Sequence, residues 1–108
     1  MDKIYNKLVR DNIPKIINDQ GKTPILKVLD DVEYKEELEK KLYEEYLEVV
    51  ESSYSTRIEE LADMIEVISS LAKLEDKTLK DVIAVADKKR KERGSFDKKV
   101  FLEKVCDR

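Results

Sequence analysis

Residues 34–74 read YKEELEKKLYEEYLEVVESSYSTRIEELADMIEVISSLAKL, and this stretch decides the fold. From Tyr34 to about Glu51 apolar residues recur at helical spacing with no glycine or proline. Ser52-Ser53-Tyr54-Ser55 reads as a tight turn. A second helix then runs to about Leu74, capped by Ser55 or Thr56, and Glu59 stands three residues after Thr56 as a capping box prefers. Two long helices joined so briefly form an antiparallel helical hairpin. Glu75-Asp76-Lys77 is the next turn, and Thr78 caps a third helix from Leu79 to about Arg93, where Gly94 stops it. Upstream, Asp11 or Asn12 caps a short helix with Pro14 in its first turn and Gly21 at its end. Residues 22–32 read as an extended connector or short strand. The tail, SFDKKVFLEKV, alternates loosely and reads as a strand or a docking arm. The fold class is all-α: a helical hairpin, a third helix packed across it and a short N-terminal helix, in one domain spanning 1–108. Three helices have a limited core and wide apolar arcs, so a helical homo-oligomer is expected.

Composition agrees. Charged residues make up 44% of the 108, against about 25% in ordinary globular chains. Two glycines, two prolines and no tryptophan or histidine leave little for a β-sandwich. Without histidine there is no Ser-His-Asp triad, Cys-His pair or imidazole metal site. Cys106 is the single cysteine, which excludes an intramolecular disulfide and a thiolate zinc cluster and fits a reduced, cytoplasmic compartment. The opening MDKIYNKLVRDN lacks the apolar run of a signal peptide, and no stretch approaches a membrane span. A net charge of −3 gives no overall field for capturing nucleic acid.

The informative residues are carboxylates where apolar side chains belong. On the first long helix Leu38, Leu42, Tyr46, Val49 and Val50 share one arc. Glu45 falls at its edge, followed by Glu48 and Glu44 on the same side, three and four residues apart. On the second helix Ile58, Leu61, Met64, Ile65, Ile68, Leu71 and Ala72 make the apolar face, with Val67 and Leu74 at one margin. Glu60 lies inside that arc between Val67 and Leu71, Asp63 lies at the margin, and Glu59 and Glu66 face water. An inward, unpaired carboxylate costs several kcal/mol, and clustered carboxylates repel one another. Either Lys/Arg partners or a hard divalent cation must offset this. Mg²⁺ or Mn²⁺ takes all-oxygen ligands and needs neither histidine nor cysteine.

The third helix carries counter-charge. Lys89, Arg90 and Arg93 continue the side occupied by Leu79, Val82, Ile83, Val85 and Ala86. They either complement the helix dipole or clamp phosphoryl oxygens. Asp87, just before them, is either a surface residue or a fifth carboxylate.

The pattern EExxE followed by ExxD, here Glu44-Glu45-Tyr46-Leu47-Glu48 and Glu60-Leu61-Ala62-Asp63, resembles the MazG-like all-α nucleoside triphosphate pyrophosphohydrolases. That superfamily includes the phosphoribosyl-ATP pyrophosphohydrolases and the dimeric dUTP pyrophosphatases. The opening YNKLVRDNIPKII and the stretch ADKKRKERGSF resemble a small single-domain branch, so the likeness runs from about Tyr5 to about Phe101. Eleven residues separate Glu48 from Glu60, at or slightly below the short end of the family's spacing, which implies a tight turn between the helices.

The resemblance implies an α-helical bundle assembled as a homodimer or homotetramer with the site partly shared between subunits. It implies Glu45, Glu48, Glu60 and Asp63 as Mg²⁺ ligands, Asp87 near the metal and substrate, and Lys89 and Arg93 on the triphosphate. Glu44 would ligate a second ion or orient water, and Glu44 or Glu48 is the candidate base. Lys7 and Arg10 are further phosphate candidates, with exposed charges on a short helix as the plain alternative. The implied reaction is hydrolysis of a nucleoside triphosphate between the α and β phosphates to monophosphate and pyrophosphate, in nucleotide-pool house-cleaning. The rival readings are a non-catalytic nucleotide-binding or interaction module, and a phosphoribosyl-ATP pyrophosphohydrolase of histidine biosynthesis. No membrane and no nucleic acid polymer is expected as a partner.

Overall fold

A computed structural model of the chain describes residues 2–108. The element order is α1 (Ile13–Asp19), α2 (Asp31–Glu51), α3 (Arg57–Leu74) and α4 (Leu79–Arg93), with no strand among the described residues. None of these helices is long and apolar enough to cross a membrane. The connector after α1 and the tail after α4 are both irregular, so the alternating tail pattern does not mark a strand.

Local chemistry explains the boundaries. Asp30 accepts a hydrogen bond from the Glu33 backbone N–H at 2.8 Å, and the Asp30 N–H donates to the Glu33 carboxylate at 3.4 Å. This capping box starts α2 three residues ahead of Tyr34, the start expected from apolar spacing alone. Thr78 and Asp81 build the same device at the start of α4. At α3 the expected Thr56–Glu59 box does not form. The Thr56 hydroxyl donates instead to the Ser53 carbonyl at 3.3 Å, tightening the inter-helix turn. Gly94, at φ 84°, ends α4 in a conformation that a β-carbon would strain.

The helices α2 and α3 pack as the expected hairpin. The third long helix does not lie across that hairpin: α4 packs on α3, and neither α4 nor α1 makes a comparable contact with α2. Leu38, Val67 and Ala72 are the only buried apolar side chains among the described residues. Val67, expected at a margin, is thus among the most buried residues, while Ile58, Leu61 and Ile65 are exposed. The apolar arc of α3 therefore serves two sides, only one of which the chain itself covers.

The shape is correspondingly open. The radius of gyration is 18.8 Å, where a compact chain of this length has about 13 Å. The accessible surface is 10456 Å², roughly 4,000 Å² above the expectation for a folded monomer of this mass.

Candidate metal centre

Antiparallel pairing brings the C-terminal half of α2 beside the N-terminal half of α3. Glu45 sits on the first, and Glu60 and Asp63, one turn apart, sit on the second. One carboxylate oxygen from each of the three lies within 4.8 Å of the other two. Three oxygens on one octahedral Mg²⁺ include at least two neighbouring pairs about 3.0 Å apart and at most one opposed pair about 4.2 Å apart, so these side chains would close by up to about 2 Å to share an ion. The set is all-oxygen, tri-carboxylate and only partly screened from water, which fits a hard divalent cation.

The electrostatics record the crowding. Burial raises the Glu45 carboxyl above its ordinary range, and Asp63, Glu44 and Glu60 push it further, against the attraction of Lys41. Glu60 is also raised, by desolvation first and then by Glu48, Asp63 and Glu59. Both glutamates therefore hold their protons more tightly than free carboxylates do, because they are drawn out of water and because negative neighbours stand close.

Cations partly offset the cluster. The Glu45 side chain is 12% exposed and lies 3.7 Å from Lys41, whose ammonium is also 3.4 Å from Glu44. From the segment ahead of α1, Arg10 Nη2 donates to Asp63 Oδ1 at 2.7 Å, and Lys7 Nζ reaches within 3.9 Å of Glu44. Arg10 and Lys7, expected on substrate phosphates, thus lie on the carboxylates themselves. The Arg10–Asp63 bond ties the N-terminal segment to α3 across 53 residues of sequence. Sequence reading passed over Lys41, although its placement four residues before Glu45 on one helix face was a usable signal.

The other expected residues stand apart. Glu48 is exposed and lies outside the three-oxygen set, yet its charge is felt at Glu60. Glu44 is half-buried and shared between Lys7 and Lys41. On α4, Asp87 accepts from Arg90 at 2.8 Å, while Lys89 and Arg93 are exposed and make no ion pair among the described residues. Within one chain, then, the carboxylates of α2 and α3 converge and the α4 charges do not join their ion pairs.

Chemically, such a cluster can hold a divalent cation, or serve as an ion-pair clasp for the N-terminal segment. In comparisons with known proteins, no family model, no curated protein and no solved structure matches the chain.

Proposed function

We propose that this protein hydrolyses a nucleoside triphosphate between its α and β phosphates, releasing monophosphate and pyrophosphate, with Mg²⁺ or Mn²⁺ as cofactor. The observation that carries the reading is the convergence of Glu45, Glu60 and Asp63 from two helices, with both glutamates raised by desolvation first and by neighbouring carboxylates second. The resemblance of EExxE and ExxD to the MazG-like family supports the substrate class.

A bound divalent ion neutralises phosphate charge and lowers the pKa of a coordinated water. Glu45, Glu60 and Asp63 would hold it. Glu44 or Glu48, outside that three-oxygen set, would accept the proton of the attacking water. Lys7 and Arg10 already lie at the cluster and would turn to the triphosphate when an ion takes over the carboxylates. Lys89 and Arg93 would approach from a second copy, since both are exposed and make no ion pair among the described residues. The open shape and uncovered apolar faces support a homodimer or homotetramer.

The test is incubation with a panel of nucleoside triphosphates and Mg²⁺, assayed for pyrophosphate. Release with at least one nucleotide, abolished by Glu60→Gln, is expected. Absence of pyrophosphate from every nucleotide would refute the enzyme. A second reading, a non-catalytic module with an N-terminal clasp, is favoured by one observation: Arg10 and Lys41 already supply counter-charge. It predicts that Arg10→Gln and Asp63→Asn both loosen the N-terminal segment and that divalent ions change nothing.

A further inference from the structure

The C-terminal tail leaves a run of apolar side chains uncovered. Phe96, Val100, Phe101, Leu102 and Val105 are 74–97% exposed, although residues this apolar are ordinarily covered when they cluster. Gly94, at φ 84°, sits at the tail's root where α4 ends. At the opposite end of α4 lies an open groove of about 710 Å³ between α2, α3 and α4. Leu42, Ile68, Leu71 and Val82 line its floor, and Asp31, Glu39 and Glu75 stand with Lys35 among its lining residues. An apolar floor with acidic neighbours suits an apolar segment bearing cations. The tail is such a segment by a small margin: Lys98, Lys99, Lys104 and Arg108 stand among its apolar residues against Asp97, Glu103 and Asp107.

We propose that this groove receives the C-terminal arm of a second copy of the chain, so that protomers associate by exchanging residues 95–108. Two arguments favour a second copy over the chain's own arm. Val82 and Phe96 are separated by most of α4, about 17 Å of helix from Val82 to Arg93. An arm folding back over that distance would lay Asp97, Lys98 and Lys99 beside the end of α4, where Lys88, Lys89, Arg90, Lys91 and Arg93 outnumber Glu92 and the net like charge repels. An arm from another copy enters the acidic end directly. The area is also of the right size. Obligate homodimers bury about 2,000–5,000 Å² in total, so covering half of each chain's excess surface reaches that range. This proposal rests on the self-association proposed above and is independent of the metal centre.

The experiment pairs light scattering with directed cross-linking. The natural chain is expected to run as a dimer or larger assembly. Phe101→Asp with Leu102→Asp is expected to weaken association at least tenfold while leaving helical circular dichroism unchanged, because these side chains are exposed within their own chain. A monomeric natural chain would overturn both self-association and arm exchange; an associating natural chain whose double variant associates equally well would overturn arm exchange alone. For the occupant, a chain with Cys106→Ser and Glu39→Cys or Glu75→Cys is mixed with a size-tagged natural chain carrying its single Cys106 and oxidised gently. A mixed disulfide from either rim position supports exchange. No mixed disulfide, or closure only within one chain when Cys106 is retained beside the groove cysteine, overturns it.

Discussion

Replacing Glu45 by glutamine removes one charge from the cluster without changing the side chain's size, and the structure sets the expected magnitude. Two like charges 4.8 Å apart repel by about 0.9 kcal/mol at the dielectric of water and about 3.5 kcal/mol at an effective dielectric of about 20. Glu45 is mostly shielded from water, which favours the upper part of that range, but Lys41 at 3.7 Å offsets part of the repulsion. Lys41 keeps Glu44 at 3.4 Å when Glu45 is neutral, so it is not stranded. The net expectation for Glu45→Gln in EDTA at pH 8 is a gain of about 1 kcal/mol, or a Tm rise of roughly 4–8 °C. Millimolar Mn²⁺ should reverse the order. An ion present at 100 times its Kd stabilises the natural chain by about 2.7 kcal/mol, and the variant, lacking one ligand, should gain far less. The assay is thermal melting by circular dichroism at one fixed protein concentration, because self-association also shifts Tm. A variant less stable than the natural chain in EDTA, or one with the full Mn²⁺ response, would refute the reasoning.

Three further outcomes follow from the same structure. Arg10→Gln should tighten Mn²⁺ binding by about 1.5- to 5-fold in calorimetric titration, since the ion no longer competes with an exposed ion pair of ordinary strength; weaker binding would mean that Arg10 assists the ion. Because Glu45 and Glu60 are raised, the folded state binds more protons than the unfolded one just above the ordinary glutamate range, so the cluster's contribution to stability falls as pH rises through that interval. The Mn²⁺-induced rise in Tm should accordingly be larger at pH 8 than at pH 5, and an equal rise at both would contradict the assignment. Leu38→Ala, at a side chain only 3% exposed, should cost about 2–5 kcal/mol in urea unfolding; a loss under 1 kcal/mol would show that the hairpin seam is not the core.

The helices were legible because their determinants are local. Thr78 and Gly94 bracket α4 as read, and the break between α2 and α3 falls at the serine-rich turn. The start of α2 was missed because the apolar spacing begins at Tyr34, whereas the Asp30–Glu33 cap acts before any apolar residue is needed. The phase of α3 was misjudged for a different reason. Its arc is wider than one interface covers, so periodicity does not tell that Val67 is buried while Ile58 and Ile65 are exposed. At the site, Glu45, Glu60 and Asp63 were legible as carboxylates on apolar faces. The partnership of Arg10 with Asp63 was not, because it depends on the course of an irregular segment that carries no periodic signal. The placement of Asp87, Lys89 and Arg93 relative to the carboxylates depends on how α4 packs, which helix spacing alone does not encode.

The proposed chemistry stands on a divalent ion binding among the three carboxylates of α2 and α3. Crystals of the natural chain grown with Mn²⁺, with anomalous scattering recorded at the manganese edge, test it most directly. The account predicts one strong peak within bonding distance of oxygens from Glu45, Glu60 and Asp63, with the Arg10 guanidinium moved off Asp63. Density that leaves Arg10 bonded to Asp63 and places no manganese between the helices would contradict it.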